Sequence, residues 1–143
     1  MAEYAVASAS SAAAAAGGGN SFRFVQGAAE AMPFENGGFD AVVSTLVLCS
    51  VPDAGGALRE MRRVARPGAP LLLIEHVRSD KPLAALTQAL FEPLQRALAD
   101  GCRLTRDTAG AVAAAGLDAG ALERFELEGA SLIAPHVAGV LRL

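Results

Sequence analysis

Hydrophobic and polar positions follow two different periods along this chain. Phe39-Asp40-Ala41-Val42-Val43-Ser44-Thr45-Leu46 is nearly continuously apolar and β-branched at its centre, a pattern that predicts a parallel strand buried on both faces in mid-sheet. From Asp53 to Ala65 the period changes. Ala54, Leu58, Met61 and Val64 recur at three and four, with Arg59, Arg62 and Arg63 on the other side, which predicts an amphipathic helix. Arg66-Pro67-Gly68 ends that helix, because a residue before proline avoids the α region and glycine tolerates a tight turn. A second buried strand is predicted over Pro70–Glu75. Strand, helix, strand at these lengths makes a right-handed βαβ unit with parallel strands and sets the fold class as α/β.

The flanks add weaker elements. Phe22, Phe24 and Val25 predict a short strand before a turn-prone stretch through Pro33, Asn36, Gly37 and Gly38. Leu83–Leu98 predicts a helix bent or broken near Pro93, and Thr105 is the expected N-cap of another helix ending near Gly116. Leu122–Leu127 alternates and Val137–Leu143 is apolar, so the two are expected to pair as a closing antiparallel hairpin. Met1–Gly19 is rich in Ala, Ser and Gly, which fits a targeting peptide, a linker or a helix. The helix is favoured over Glu3–Ala16, since Ala is the best helix former and Gly17–Gly19 supply a stop. Glu3 sits where a leader carries positive charge and Arg23 is the first basic residue, so organellar import is not supported and a cytoplasmic location is expected.

Composition narrows the classes. With 143 residues, 52% of them hydrophobic, and a net charge of -3, the chain suits one globular domain. Its longest apolar run, Ala41–Val51, is interrupted by Ser44, Thr45 and Ser50 and falls short of a membrane span. Mild acidity and 5% aromatic content argue against a nucleic-acid partner and leave a small molecule as the expected ligand. The two cysteines, Cys49 and Cys102, lie far apart in sequence without metal-ligand spacing, so neither a disulfide framework nor a metal site is implied.

Ligands of open α/β sheets bind beyond the carboxyl ends of parallel strands. The segments to inspect are therefore Ala28–Glu30, Ser44–Leu46 and Glu75–Val77. They offer backbone groups, hydroxyls, carboxylates and one imidazole, but no Ser-His-Asp arrangement and no phosphate-cradling P-loop.

Three segments in this order carry a resemblance: Gly27-Ala28-Ala29-Glu30-Ala31-Met32-Pro33-Phe34, Gly38-Phe39-Asp40-Ala41-Val42-Val43, and Leu58-Arg59-Glu60-Met61-Arg62-Arg63-Val64-Ala65-Arg66-Pro67-Gly68. They resemble the second half of class I S-adenosylmethionine-dependent methyltransferases of type 11. Thr45-Leu46-Val47-Leu48-Cys49-Ser50-Val51, Glu75-His76-Val77, Phe91-Glu92-Pro93, Asp100-Gly101-Cys102-Arg103-Leu104-Thr105-Arg106 and Pro135-His136-Val137 narrow it to the methyltransferase-like protein 7 family. Animal members of that family are alkyl-thiol S-methyltransferases. The resemblance implies a Rossmann-like fold with a mostly parallel sheet and an antiparallel C-terminal hairpin. The family's first strand, its glycine-rich cofactor loop and its ribose-binding acid would precede Met1, so an N-terminally truncated domain is expected. Gly17-Gly18-Gly19 follows an alanine-rich stretch and is read as a helix stop.

By the same resemblance the cofactor is S-adenosyl-L-methionine and the acceptor a small molecule, a thiol being one candidate. Ala28 and Ala29 would line the adenine through backbone groups. An Asp that many relatives place near Ala28 is missing here. Glu30 would orient the loop or cap a turn. Ser44, Thr45 and Leu46 would sit beside the cofactor, although a strand-end hydroxyl serves backbone groups equally well. His76 is either a base taking a proton from a thiol or a hydrogen-bonded structural histidine. Asp100 and Cys102 either face substrate or fix a loop and pack a core. Glu60 and Arg63 read as an exposed ion pair of little weight, Arg59, Arg62 and Arg66 as a solvated face, and His136 as packed or edge-exposed. The rival to an enzyme is a non-catalytic interaction module or a truncated gene product, whose open sheet edge would invite partners or self-association.

Overall fold

The computed structural model of the chain describes residues 23–129 and 131–143. The helix expected over Glu3–Ala16, its glycine stop and Phe22 lie outside the described residues.

The described elements run β1 (Val42–Thr45), α1 (Ala54–Val64), β2 (Pro70–His76), α2 (Pro82–Leu98), α3 (Thr108–Ala114), β3 (Leu122–Glu126) and β4 (Pro135–Arg142). Single 3-10 turns at Ala119–Ala121 and Ser131–Ile133 precede β3 and β4. The four strands form one sheet in the order β1-β2-β4-β3. β1 runs parallel to β2, with Val42 opposite Leu71 and Thr45 opposite Ile74. β4 is antiparallel to both β2 and β3, as the expected C-terminal hairpin requires.

Strand periodicity decides where the core lies. Leu71 and Leu73 on β2 and Val137 and Leu141 on β4 point to one face, where they are buried with Ala57, Leu58 and Met61 of α1 and Val112 of α3. Each fully buried leucine contributes about 1.5–3 kcal/mol of hydrophobic transfer energy. Residues between them point the other way. Val43, Leu72 and Val140 stand in one row across β1, β2 and β4, and all three are exposed, as is Ile74.

That arrangement corrects the expectation of strands buried on both faces in mid-sheet. Among the described residues β1 is an edge strand, and Val43 is 69% exposed. The apolar run recorded a strand able to be covered on both faces, while the described elements cover only one of them.

α1 forms where its period indicated and stops at Ala65, whose extended backbone (φ -81, ψ 152) precedes Arg66-Pro67. Gly68, at φ 80, completes the reversal into β2. Three smaller expectations are corrected. Phe24 and Val25 belong to no strand. Pro93 lies within one unbroken α2 of 17 residues. Asp107, not Thr105, caps α3, its carboxylate accepting the Gly110 N–H at 2.8 Å. Thr105 instead donates its own N–H to Glu92 at 2.9 Å, which ties the approach to α3 back to α2.

Candidate functional site

The carboxyl ends of β1 and β2 lie side by side, and Glu75 connects them. This carboxylate is fully buried. It accepts the Ser44 hydroxyl at 2.9 Å, the Val47 N–H at 3.0 Å and the Cys49 N–H at 3.1 Å. A buried charge is tolerated only when such donors replace its lost water. The three bonds fix the path of the chain as it leaves β1 and help hold Leu46 in the left-handed region, at φ 55, a conformation unfavourable for a branched residue. Leu46 also donates its N–H to the Ile74 carbonyl at 2.9 Å and leaves its side chain half exposed.

A second loop reaches the same region from the other side of β1. The Ala31 N–H closes a tight turn on the Ala28 carbonyl at 3.1 Å, and Glu30 accepts the N–H of Asp53, the residue before α1, at 3.1 Å. The chain that follows is pinned by α1. Arg63 donates to Glu60 at 2.7 and 2.8 Å, to the Phe34 and Met32 carbonyls, and to the Asn36 side chain. Glu60 in turn accepts the Met32 N–H at 2.8 Å. Arg63 and this backbone N–H hold the Glu60 carboxyl far below its usual range, at about 2, and Arg63 is raised by its bond to Glu60. The expectation of an exposed ion pair of little weight is therefore corrected: the pair is the anchor of the 32–36 loop. Ala29, Met32, Val43 and Val47 then line an apolar cavity of about 300 Å³.

On the far side of the β1 loop lies a cavity of about 350 Å³ lined by Leu46, Cys49, His76, Asp100, Cys102 and His136, among others. His76 and His136 are register partners on β2 and β4. Their rings meet edge to face, 5.7 Å between centroids, and Phe125 stacks on His136 from β3. His136 is anchored by Nδ1 at 3.0 Å from the Ala134 carbonyl. His76 is 2% exposed, and among the described residues neither ring nitrogen has a hydrogen-bond partner.

The loop after α2 brings the remaining groups. Asp100 and Gly101 both have positive φ, 46 and 84, and a Cβ on Gly101 would come within 3.2 Å of the Ser50 carbonyl. That close approach lets the Arg103 N–H reach the Cys49 carbonyl at 2.9 Å and sets Cys102 beside Cys49. Both cysteines are free thiols. The Cys49 thiol is raised by the neighbouring Cys102 thiol and by burial. The Cys102 thiol is lowered to about 5, first by Cys49 and then by His76.

The structure thus brings Leu46, His76 and Asp100 to one cavity and Ala29 to the other. Ala28 and Thr45 are exposed nearby, while Ser44 is buried with its hydroxyl committed to Glu75. Sequence reasoning passed over Glu75 as an organiser and Cys49 as part of the cavity. The signal for Glu75 was a charged residue ending an otherwise apolar strand. Nothing in a separation of 53 residues signalled the cysteine pair.

The arrangement fits one flank of a nucleoside cofactor: an apolar cavity beside the strand ends, the 28–31 turn at its edge, and a carboxylate at Glu30. Residues 1–73 of the chain match the family described as a methyltransferase domain. The human thiol S-methyltransferase TMT1A is 37% identical over 120 residues, spanning 82% of this chain and 49% of that protein. The human thiol S-methyltransferase TMT1B is 46% identical over 88 residues, spanning 60% of this chain and 36% of that protein. The chain thus spans between about a third and a half of the length of these relatives. Among solved structures, an SAM-dependent methyltransferase from Methanosarcina mazei superposes with a TM-score of 0.63 at 20% identity, over 87% of this chain and 68% of that one. The last likeness shows the Rossmann-like fold of class I methyltransferases. With about half of its length matched by the family and the sheet ordered as that fold requires, the chain belongs to the methyltransferase-domain family.

Proposed function

We propose that this chain forms part of an S-adenosylmethionine-dependent methyltransferase acting on a small-molecule acceptor, and that the acceptor is an aliphatic thiol. The observation that carries the reading is His76, buried yet without a partner at either nitrogen among the described residues, in the same cavity as the strand-end residue Leu46. The methyltransferase-domain family implies S-adenosyl-L-methionine as the methyl donor. When bound, it supplies a sulfonium methyl group open to direct displacement by a nucleophile.

Everything else falls to the chain's own residues. Leu46, Thr45 and the Ala28–Glu30 turn would hold the cofactor's nucleoside flank, with Ser44 acting indirectly through Glu75. His76 would take the proton of an acceptor thiol at its free ring nitrogen, because only the thiolate is strongly nucleophilic. Leu46, Ile133 and the ring of His136 exclude water and align the acceptor. A thiol is favoured because a large, soft sulfur needs no further cation to be activated, and because the relatives named above act on thiols.

Calorimetric titration of the folded chain with S-adenosylmethionine, and separately with its demethylated product, tests the cofactor half of the reading. Saturable binding in the micromolar to sub-millimolar range, lost in Leu46→Glu, is expected. A folded chain that binds neither compound overturns the reading for this chain. The acceptor half is tested by transfer of a labelled methyl group to 2-mercaptoethanol against ethanolamine. Transfer to the amine alone would overturn the choice of a thiol.

A further inference from the structure

Methyl transfer to an external acceptor uses His76 and leaves Cys49 and Cys102 without a part. Both thiols line the 350 Å³ cavity. They approach because the Arg103 N–H bonds the Cys49 carbonyl at 2.9 Å while the Cys102 N–H closes a turn on the Ala99 carbonyl at 2.9 Å. The first bond ties the two backbones together and the second fixes the turn that carries Cys102. Cys49 is 1% exposed and its sulfur lies 3.6 Å from both the Leu46 carbonyl and the Ser50 hydroxyl. Cys102 is partly open to the cavity. The third member is His76, nine-tenths buried and more, with no hydrogen-bond partner for either ring nitrogen among the described residues. One reachable thiol, one shielded thiol beside it and one unengaged imidazole are the parts that thiol–disulfide exchange needs.

We propose that Cys49 and Cys102 form a thiol–disulfide exchange site, in which Cys102 attacks small aliphatic disulfides entering the cavity and Cys49 resolves the product. The Cys102 thiolate attacks one sulfur of the incoming disulfide, forming a Cys102–S–S–R bond and expelling the other half as a thiolate. Cys49 then gives its proton to His76 and its sulfur attacks Cys102. The Cys49–Cys102 bond forms as the second thiolate leaves, and His76 and solvent return the protons to the released thiols. The protein's two thiols are oxidised by two electrons in all, and the small disulfide is reduced to two thiols. The order of attack follows exposure, Cys102 being partly open to the cavity and Cys49 buried, and the two thiols' mutual influence agrees with it, raising Cys49 and lowering Cys102. In the exchanged state a covalent bond crosses the cavity between the β1 loop and the α2 loop, where acceptor would lie.

The test treats the reduced 143-residue chain with oxidised glutathione and follows intact mass and peptide maps under non-reducing conditions. Wild type is expected to end as a Cys49–Cys102 cross-link with no glutathione retained. Cys49→Ala should accumulate a mixed disulfide on Cys102, and Cys102→Ser should leave Cys49 unreacted. His76→Gln should cross-link several-fold more slowly, with circular dichroism confirming that all variants fold. A wild type that keeps glutathione on Cys102, or a Cys102→Ser chain whose Cys49 reacts as fast as wild type, overturns the proposal. An unchanged rate in His76→Gln removes the imidazole from it. The readout is covalent mass, so its failure is distinguishable from failure of cofactor binding.

Discussion

The Cys49 N–H donates to the Glu75 carboxylate at 3.1 Å, joining two residues that are 26 apart in sequence and both buried. Through that bond, and those from Val47 and the Ser44 hydroxyl, a single side chain of β2 shapes the loop that leaves β1. Glu75→Gln keeps the volume but turns an amide NH2 toward a donor. The expected cost is about 1.5–3 kcal/mol, the range for a hydrogen bond to a charged group. Urea unfolding measures it. Because the same loop carries Leu46, affinity for S-adenosylmethionine should fall together with stability. A variant with an unchanged urea midpoint would show that the carboxylate does not hold the loop.

Glu60 sets an acid limit. Its carboxyl is lowered from an ordinary 4.5 to about 2 by the Arg63 hydrogen bond and then by the Met32 N–H. A carboxyl whose folded pKa is depressed contributes stability above its unfolded value, and loses it as pH falls through the folded one. The Glu60 contribution is therefore full above about 4.5 and fades toward about 2. Urea midpoints measured over that interval should fall more steeply in wild type than in Glu60→Gln. Parallel curves for the two proteins would show that the carboxylate is not tied to its partners in solution.

The α/β class, the parallel pairing of β1 with β2, the helix between them and the closing hairpin were legible because each rests on a local period in the sequence. The exposed outer face of β1 and β2 was not, since Val43, Leu72 and Ile74 read as apolar whether or not anything covers them. The candidate site divides in the same way. Leu46, His76 and Asp100 were legible as residues at strand ends and in a motif-like segment. Glu75 and the pairing of Cys49 with Cys102 were not, because both depend on loops folding back over long separations. Arg63 looked like one half of an i,i+3 pair, and nothing local revealed the Met32 and Phe34 carbonyls that it also binds.

The N-terminus of α3 offers a direct contrast between expectation and structure. Asp107 accepts the Gly110 N–H, an end-of-helix donor that would otherwise lack a partner. Asp107→Ala should cost about 1 kcal/mol, the usual value for losing a side-chain cap. Thr105, the residue expected to be the cap, bonds Glu92 with both its N–H and its hydroxyl. Thr105→Val removes only the hydroxyl bond and should leave α3 intact while loosening its link to α2. Hydrogen exchange at the amides of residues 108–112 separates the two: faster in the Asp107 variant and near wild type in the Thr105 variant. Equal acceleration in both would mean that the helix is held from α2 rather than by its cap.

Alkylation by iodoacetamide should follow the unusual acidity of Cys102. An ordinary thiol, at 9.0, gains reactivity with every step up in pH through the neutral range, whereas Cys102 is lowered to about 5 by Cys49 first and His76 second. Since the thiolate is the reacting form, the rate at Cys102 should stay nearly level from about pH 9 down to about pH 6 and fall only below that. The groups facing it are Cys49 from the β1 loop, His76 from β2, His136 from β4 and Asp100 from its own loop, together with the Gln95 amide of α2. Removing the largest influence gives the check. In Cys49→Ala the Cys102 pKa should rise, so that the rate near pH 6 drops well below wild type while the rate near pH 9 changes little. A wild-type rate that climbs about tenfold per pH unit through the neutral range would show that Cys102 is an ordinary thiol.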